Sequence, residues 1–194
     1  MITIPFKNKR MAIISLGIIA LFMHTIFIRN CTHPPAEKTS EIKTYYLYSA
    51  RDTFMEKKNY YKTIPKVDRK ISIADSVDIE GTLQCIGDSL SAFYFNDLEI
   101  EVDLKSKGTR GKIAHINLLE KPGYNGPASL PPYESWYDFF QSSSGGQSTS
   151  IRLKTSFLQP DYEGEWIDGM FFFYQDDSIG LWDHMNLSGF IKRK

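Results

Sequence analysis

The sequence predicts an α+β domain, a mixed β-sheet packed by two helices, preceded by an N-terminal membrane segment. Three observations carry this. Ile79, Leu83, Ile86, Leu90 and Phe93 recur at steps of four and three, the stripe of an amphipathic helix. Leu98 to Leu104 alternates strictly, with Leu98, Ile100, Val102 and Leu104 apolar and Glu99, Glu101 and Asp103 acidic, as in a strand with one wet face. Met11 to Ile28 is almost continuously apolar behind a basic flank. A chain of 194 residues has room for that segment and one domain of ordinary size. The expected division is 1–30 for the signal or anchor, 31–43 for a tether and 44–194 for the domain.

Met11 to Ile28 is either a cleaved secretory signal or an uncleaved signal anchor, with a buried core helix as the bland alternative. At roughly 1.5 Å per residue it spans about 27 Å, just short of a hydrocarbon core. Lys7, Lys9 and Arg10 hold its start on the cytoplasmic side, so the expected location is the cell membrane, with a single N-terminal anchor and the domain on the extracytoplasmic side. Cys31 follows at once and is a candidate lipidation residue, although Arg29 sits where lipoprotein signals usually carry small residues. Cys85 is the only other cysteine, so no disulfide framework is implied. Thr32 to Ile42, with Pro34 and Pro35, reads as a tether.

Charge narrows the partner class. Charges balance overall, but four of the 23 basic residues (Lys7, Lys9, Arg10 and Arg29) flank the apolar segment, leaving 19 against 23 acidic ones. A mildly acidic domain argues against nucleic acid, whose phosphates need clustered Lys and Arg.

Thr44 to Ala50 is aromatic and strand-like. Arg51 to Lys70, with Tyr60, Tyr61 and Pro65, reads as a solvated loop or a loosely attached edge strand, its Lys and Tyr offering a ligand surface as the other reading. Asp75, Ser76 and Asp78 supply cap candidates and favourable charge for the helix that follows. Gly81 and Gly87 weaken that helix by roughly 1 kcal/mol each relative to Ala.

The acidic row Glu99, Glu101 and Asp103 is a solvated strand face; a cation site is the rival, but residues two apart on a strand lie about 7 Å apart. Lys105 to Lys112 is a basic turn leading to a partner strand, Ile113 to Leu119, and hence a β-hairpin. His115 within it reads as structural or surface. Glu120 to Trp136, with four prolines, two glycines and three aromatics, is either a docking loop or an ordered surface loop over the core.

Phe139 to Gln159 organises the rest. Ser142, Ser143 and Ser144 are natural caps, Gly145 and Gly146 allow a sharp turn, and the helix is expected from about Gln147 to Gln159, with Pro160 as its stop. Ile151, Thr155 and Leu158 share one side, with Leu153 and Phe157 beside them. Trp166 to Tyr174 is apolar on both faces, as in a central strand covered on both sides, and Ile179 to Trp182 is a candidate edge strand. Asp183 to Leu187 leads to a basic tail.

With these motifs placed, the chain resembles the GerMN domain of bacterial sporulation and spore-germination proteins over roughly Thr44 to Leu187. Ser143 to Gln147 resembles the family's Gly-Ser-x-Gly-Glu lead into its second helix, with Gln147 where Glu is common. Thr155 to Gln159, followed by Trp166 to Tyr174, is similar to the family's Thr-Leu-x-Gln helix end and hydrophobic strand. Leu181 to Ser188 resembles the closing segment around a His and a Leu-Ser pair. Gly87-Asp88 departs from the family's Gly-Pro, and Lys121 to Tyr133 is a longer insertion. The resemblance implies an exported, membrane-tethered module that binds or assembles with envelope partners, self-assembly included, and it brings no catalytic residues. No catalytic, cofactor or metal residue is therefore assigned. The rival is an exported hydrolase or metal-dependent enzyme at Asp183 and His184, with Asp168 or His115 brought in by folding, but neither HExxH nor a nucleophile motif is present. The Ser-Gly run also lacks the lysine of a phosphate-binding loop.

Overall fold

Alternating aromatic and β-branched residues make a strand wherever a partner can pair with it, and here the partner is the next segment of chain. The computed structural model describes residues 41–106, 111–124, 126, 133–141 and 143–194, without the side chains of residues 106 and 143. β1 (Ile42–Met55) and β2 (Tyr60–Ala74) form a two-stranded antiparallel ribbon of their own. A short 3₁₀ turn, Glu56–Lys58, reverses the chain, and Asn59 closes it at φ 52°, a left-handed position that Asn tolerates. Of the two readings of Arg51 to Lys70, loop or loosely attached edge strand, the strand holds: residues 51–55 and 60–70 belong to a long hairpin. Most residues of that stretch are exposed, apolar and polar alike, so the alternation that marks a half-buried strand is missing. The tether reading also runs two residues too far, since β1 starts at Ile42. Residues 1–40, with the apolar segment and Cys31, lie outside the described residues. Among the described residues no helix is long and apolar enough to cross a membrane.

α1 (Ile79–Tyr94) starts where expected, with the Asp78 carboxylate accepting from the Gly81 N–H at 2.8 Å. Leu83, Ile86 and Leu90 are fully buried, while Phe93 is half exposed and lies under the Arg69 guanidinium, 4.2 Å away. A Cβ at Gly87 would sit 3.2 Å from Ile100 Cγ2, so the glycine lets the helix settle close on the sheet.

The main sheet is mixed. β3 (Glu99–Ser106) pairs antiparallel with β4 (Lys112–Leu119), and β4 pairs parallel with β5 (Gly169–Tyr174). β6 (Asp177–Ser178) and β7 (Ile191–Lys192) both add antiparallel to β5. The fold is thus α+β with a mixed sheet, but the first predicted strand stands outside that sheet. The edge strand expected at Ile179 to Trp182 falls instead at Asp177–Ser178, and the basic tail carries β7. Ile100, Ala114, Ile116, Leu118, Met170 and Phe172 face the helices and are buried. Phe171 and Phe173 point the other way and are only half buried, so β5 is not covered on both sides.

Between β4 and β5 run α2 (Trp136–Phe140) and α3 (Ser143–Leu158). α2 is capped by Ser135, whose hydroxyl accepts from the Asp138 N–H at 3.1 Å. α3 begins four residues before Gln147, so Ser143, Ser144, Gly145 and Gly146 form its first turn instead of a cap; Ser142 lies outside the described residues. The close approach of α2 explains Gly146, where a Cβ would meet the Phe140 carbonyl oxygen at 2.9 Å. The buried stripe of α3 is Thr149, Ser150, Leu153, Ser156 and Phe157, while Ile151, Thr155 and Leu158 are half buried. Polar residues could line that stripe because each has a partner. Thr149 donates to the Phe139 carbonyl at 3.0 Å, and the Ser156 hydroxyl accepts from the Tyr48 N–H at 2.9 Å.

Two glutamines finish strand edges that would otherwise be bare. Gln159 accepts from the Tyr46 N–H at 3.0 Å and donates to the Tyr46 carbonyl at 2.7 Å. Gln84 on α1 accepts from the Val102 N–H at 2.9 Å and donates to the Ile100 carbonyl at 2.8 Å. Each amide presents one donor and one acceptor, as another strand would. Arg193 closes the far end of α3: its guanidinium donates to the carbonyls of Leu158 (2.9 Å), Gln159 (3.0 Å) and Tyr162.

Candidate functional site

A hairpin needs burial on at least one face to hold its shape, and this one has it only near its base. Tyr45, Leu47 and Tyr48 are buried against α3 and the turn after it. Farther out, the Thr63 hydroxyl donates to Asp52 at 2.6 Å and lies 3.1 Å from the Gln147 side-chain amide. Beyond that point Phe54, Met55, Tyr60 and Tyr61 are exposed, Tyr61 at 72%. The Phe54 and Tyr61 rings touch each other with centroids 5.1 Å apart. Arg51, Lys57, Lys58 and Lys62 are exposed around them. Over residues 51–70 seven Lys and Arg stand against three Asp and Glu. The tip is thus a basic, aromatic projection from an otherwise mildly acidic domain.

The second surface is the open face of the main sheet. Register places Asp103 opposite His115 and His115 beside Phe171; one step along lie Glu101, Asn117 and Phe173. A groove of about 450 Å³ crosses these strands, lined by Glu101, Asp103, His115, Asn117, Phe173 and Asp176, with Gln84 and Val102 at its β3 end. Asn117 organises it: its amide donates to Asp176 at 2.7 Å and to Glu101 at 3.4 Å, and its carbonyl accepts from the Asp176 N–H at 3.1 Å. The His115 ring leans on Phe171 and Phe173 at 5.8 and 5.2 Å. Acid rims an aromatic floor. Lys105, paired with Asp103, is the one Lys or Arg on this face of β3.

The residues singled out for catalysis are not gathered by the fold. Asp183 and His184 are exposed on the segment before β7. His184 lines one groove with Thr63, Gln147, Lys154 and Asn186, and another with Tyr137, Phe140, Trp182 and Asp183. Burial lowers the Lys154 ammonium below its ordinary range. His115 lies in the acidic groove, and Asp168 accepts from the Lys112 N–H at 2.8 Å at the start of β4. Neither lines either of the grooves that hold His184.

Comparison with protein-family models, curated proteins and solved structures returned no match.

Both surfaces left a trace in the sequence. The acidic row of β3 was plain, but its companions Asn117, Phe173 and Asp176 come from other strands and turns, which only the register joins. The tip's Lys and Tyr were visible, yet without a hairpin nothing said that Phe54 and Tyr61 would meet.

The long loop before α2 is anchored from below. The buried Glu120 carboxylate accepts from the Trp136 and Tyr137 N–H groups at 3.0 and 3.1 Å and from the Tyr174 hydroxyl at 2.9 Å. Burial first, then the bond to Glu120 and its charge, raise the Tyr174 phenol well above its ordinary value. Residues 125 and 127–132 of this loop lie outside the described residues.

Proposed function

We propose that the chain is an exported, membrane-tethered, non-enzymatic module, GerMN-like in character, that binds or assembles with cell-envelope partners. The observation that carries the reading is the hairpin tip, where Phe54, Met55, Tyr60 and Tyr61 are held out into solvent among lysines. Exposed aromatics on a braced ribbon offer contact area at little entropic cost on binding, the composition found where proteins meet. Export and tethering rest on the apolar segment and its basic flank, and the sporulation and germination label rests on the resemblance alone. An enzyme near Asp183 and His184 has less support, since His115 lines the acidic groove and Asp168 bonds the start of β4, neither in a groove that holds His184.

Two measurements test this. A reporter active only outside the cytoplasm, joined after Ile42, should work; activity of a cytoplasm-only reporter there would end the topology. Phe54→Ser with Tyr61→Ser should abolish co-purification of partners from solubilised envelopes while leaving the melting temperature within about 2 °C, because both side chains are exposed. Partners retained by that variant would remove the tip from the binding surface.

A further inference from the structure

The two surfaces described above are opposite in sign and alike in apolar character. We propose that the hairpin tip of one copy docks in the acidic groove of a second copy. This deepens the binding-module reading, on which it rests, by naming the partner as the chain itself. Arg51, Lys57, Lys58 and Lys62 meet Glu101, Asp103 and Asp176, and the Phe54–Tyr61 pair packs on Phe173 and the His115 ring. Glu80 and Asp88 extend the acidic field along the β3 edge, where Glu80 accepts from the Leu104 N–H and Asp88 from the Gln84 amide. Complementary potentials of this kind steer encounter and fix register.

The occupant comes from another molecule. No tip residue lines the groove of its own chain, and the hairpin is braced along α3 as far as Thr63. The contact is heterologous: each copy that gives its tip still offers its groove, so copies add head to tail and close into a ring or continue as a filament. A ribbon tip covers little area, so each contact is at the weak end of specific interfaces and sensitive to salt.

The test is photo-crosslinking in intact membranes, with p-benzoylphenylalanine in place of Tyr61 of the full chain. The expected product has twice the chain mass, and its crosslinked peptide carries Glu101–Asp103 or Phe173–Asp176. Glu101→Lys with Asp176→Lys in the receiving copy should lower the dimer yield about fivefold or more, the factor that about 1 kcal/mol of lost contact gives. Lys57→Glu with Lys58→Glu in the co-expressed donor should restore it, which no folding defect in either variant could do. Dimers mapped to any other surface, or dimers indifferent to the charge reversals, would overturn the proposal. So would adducts with lipid only. Adducts with a different protein only would overturn it while leaving the binding-module reading intact, and no adduct at all would count against both.

Discussion

Gln159 does at residue scale what a missing strand would do. Its amide satisfies both the N–H and the C=O of Tyr46, and its own φ of 42° places it just past the last turn of α3. Gln159→Leu would leave two backbone groups of β1 without partners in a part-buried setting. An orphaned buried group costs about 1–3 kcal/mol, so in this part-buried place the variant should lose about 1–3 kcal/mol in urea denaturation. An unchanged midpoint would show that water replaces the amide at no cost. The sequence displayed this glutamine beside Pro160 but only as a helix end, because a side chain that reaches a strand 113 positions earlier leaves no local signature. Gln84 was equally silent: in its stripe it was merely a polar residue beside Leu83.

At the scale of elements, α3 shows where periodicity succeeds and where it misleads. Leu153 and Phe157 are buried, and the Phe157 ring meets Phe172 of β5 at 6.4 Å. Ile151 shares its side with Thr155 and Leu158, as the spacing predicts, and all three are half buried, while Thr149 and Ser150, which the fold pairs with chain from other elements, are buried. Phe157→Ala should therefore cost about 3–5 kcal/mol and Ile151→Ala under about 1.5 kcal/mol, a contrast that thermal melts of the two variants resolve. Equal losses would show that Ile151 packs as tightly as Phe157. α1 and the β3–β4 hairpin were legible because their apolar faces are nearly pure and their partners adjacent in sequence. The distal part of the first hairpin was not, since beyond its buried base it is exposed on both sides, and its pairing with itself instead of the main sheet is a tertiary choice.

For the whole molecule, alkaline pH is the sharpest probe. Burial first, then the charge of Asp161 and a 3.2 Å hydrogen bond to it, push the Tyr48 phenol up to about 12. Burial, then a 2.5 Å bond to Asp68 and its charge, push Tyr94 up to about 12 against the pull of Arg69 and Arg152. A raised phenol pKa means that the native state keeps protons the unfolded chain releases near pH 10. The contribution is complete below about pH 10 and is lost as pH rises towards 12. Melting temperature should fall steeply through that window, and Tyr48→Phe with Tyr94→Phe should flatten the fall; a parallel decline would place the alkaline weakness elsewhere. The clasp made by Arg193 acts on time as well as on stability. The carbonyls it receives were laid down some 31 to 35 positions earlier, and its neighbours Ile191 and Lys192 complete the sheet beside Gly169 and Met170. Synthesis runs from the N-terminus, so α3 and its nearer partners Tyr162 and Trp166 are made before the guanidinium that clasps its carbonyls. The clasp therefore forms after the helix it closes, late in the order of synthesis.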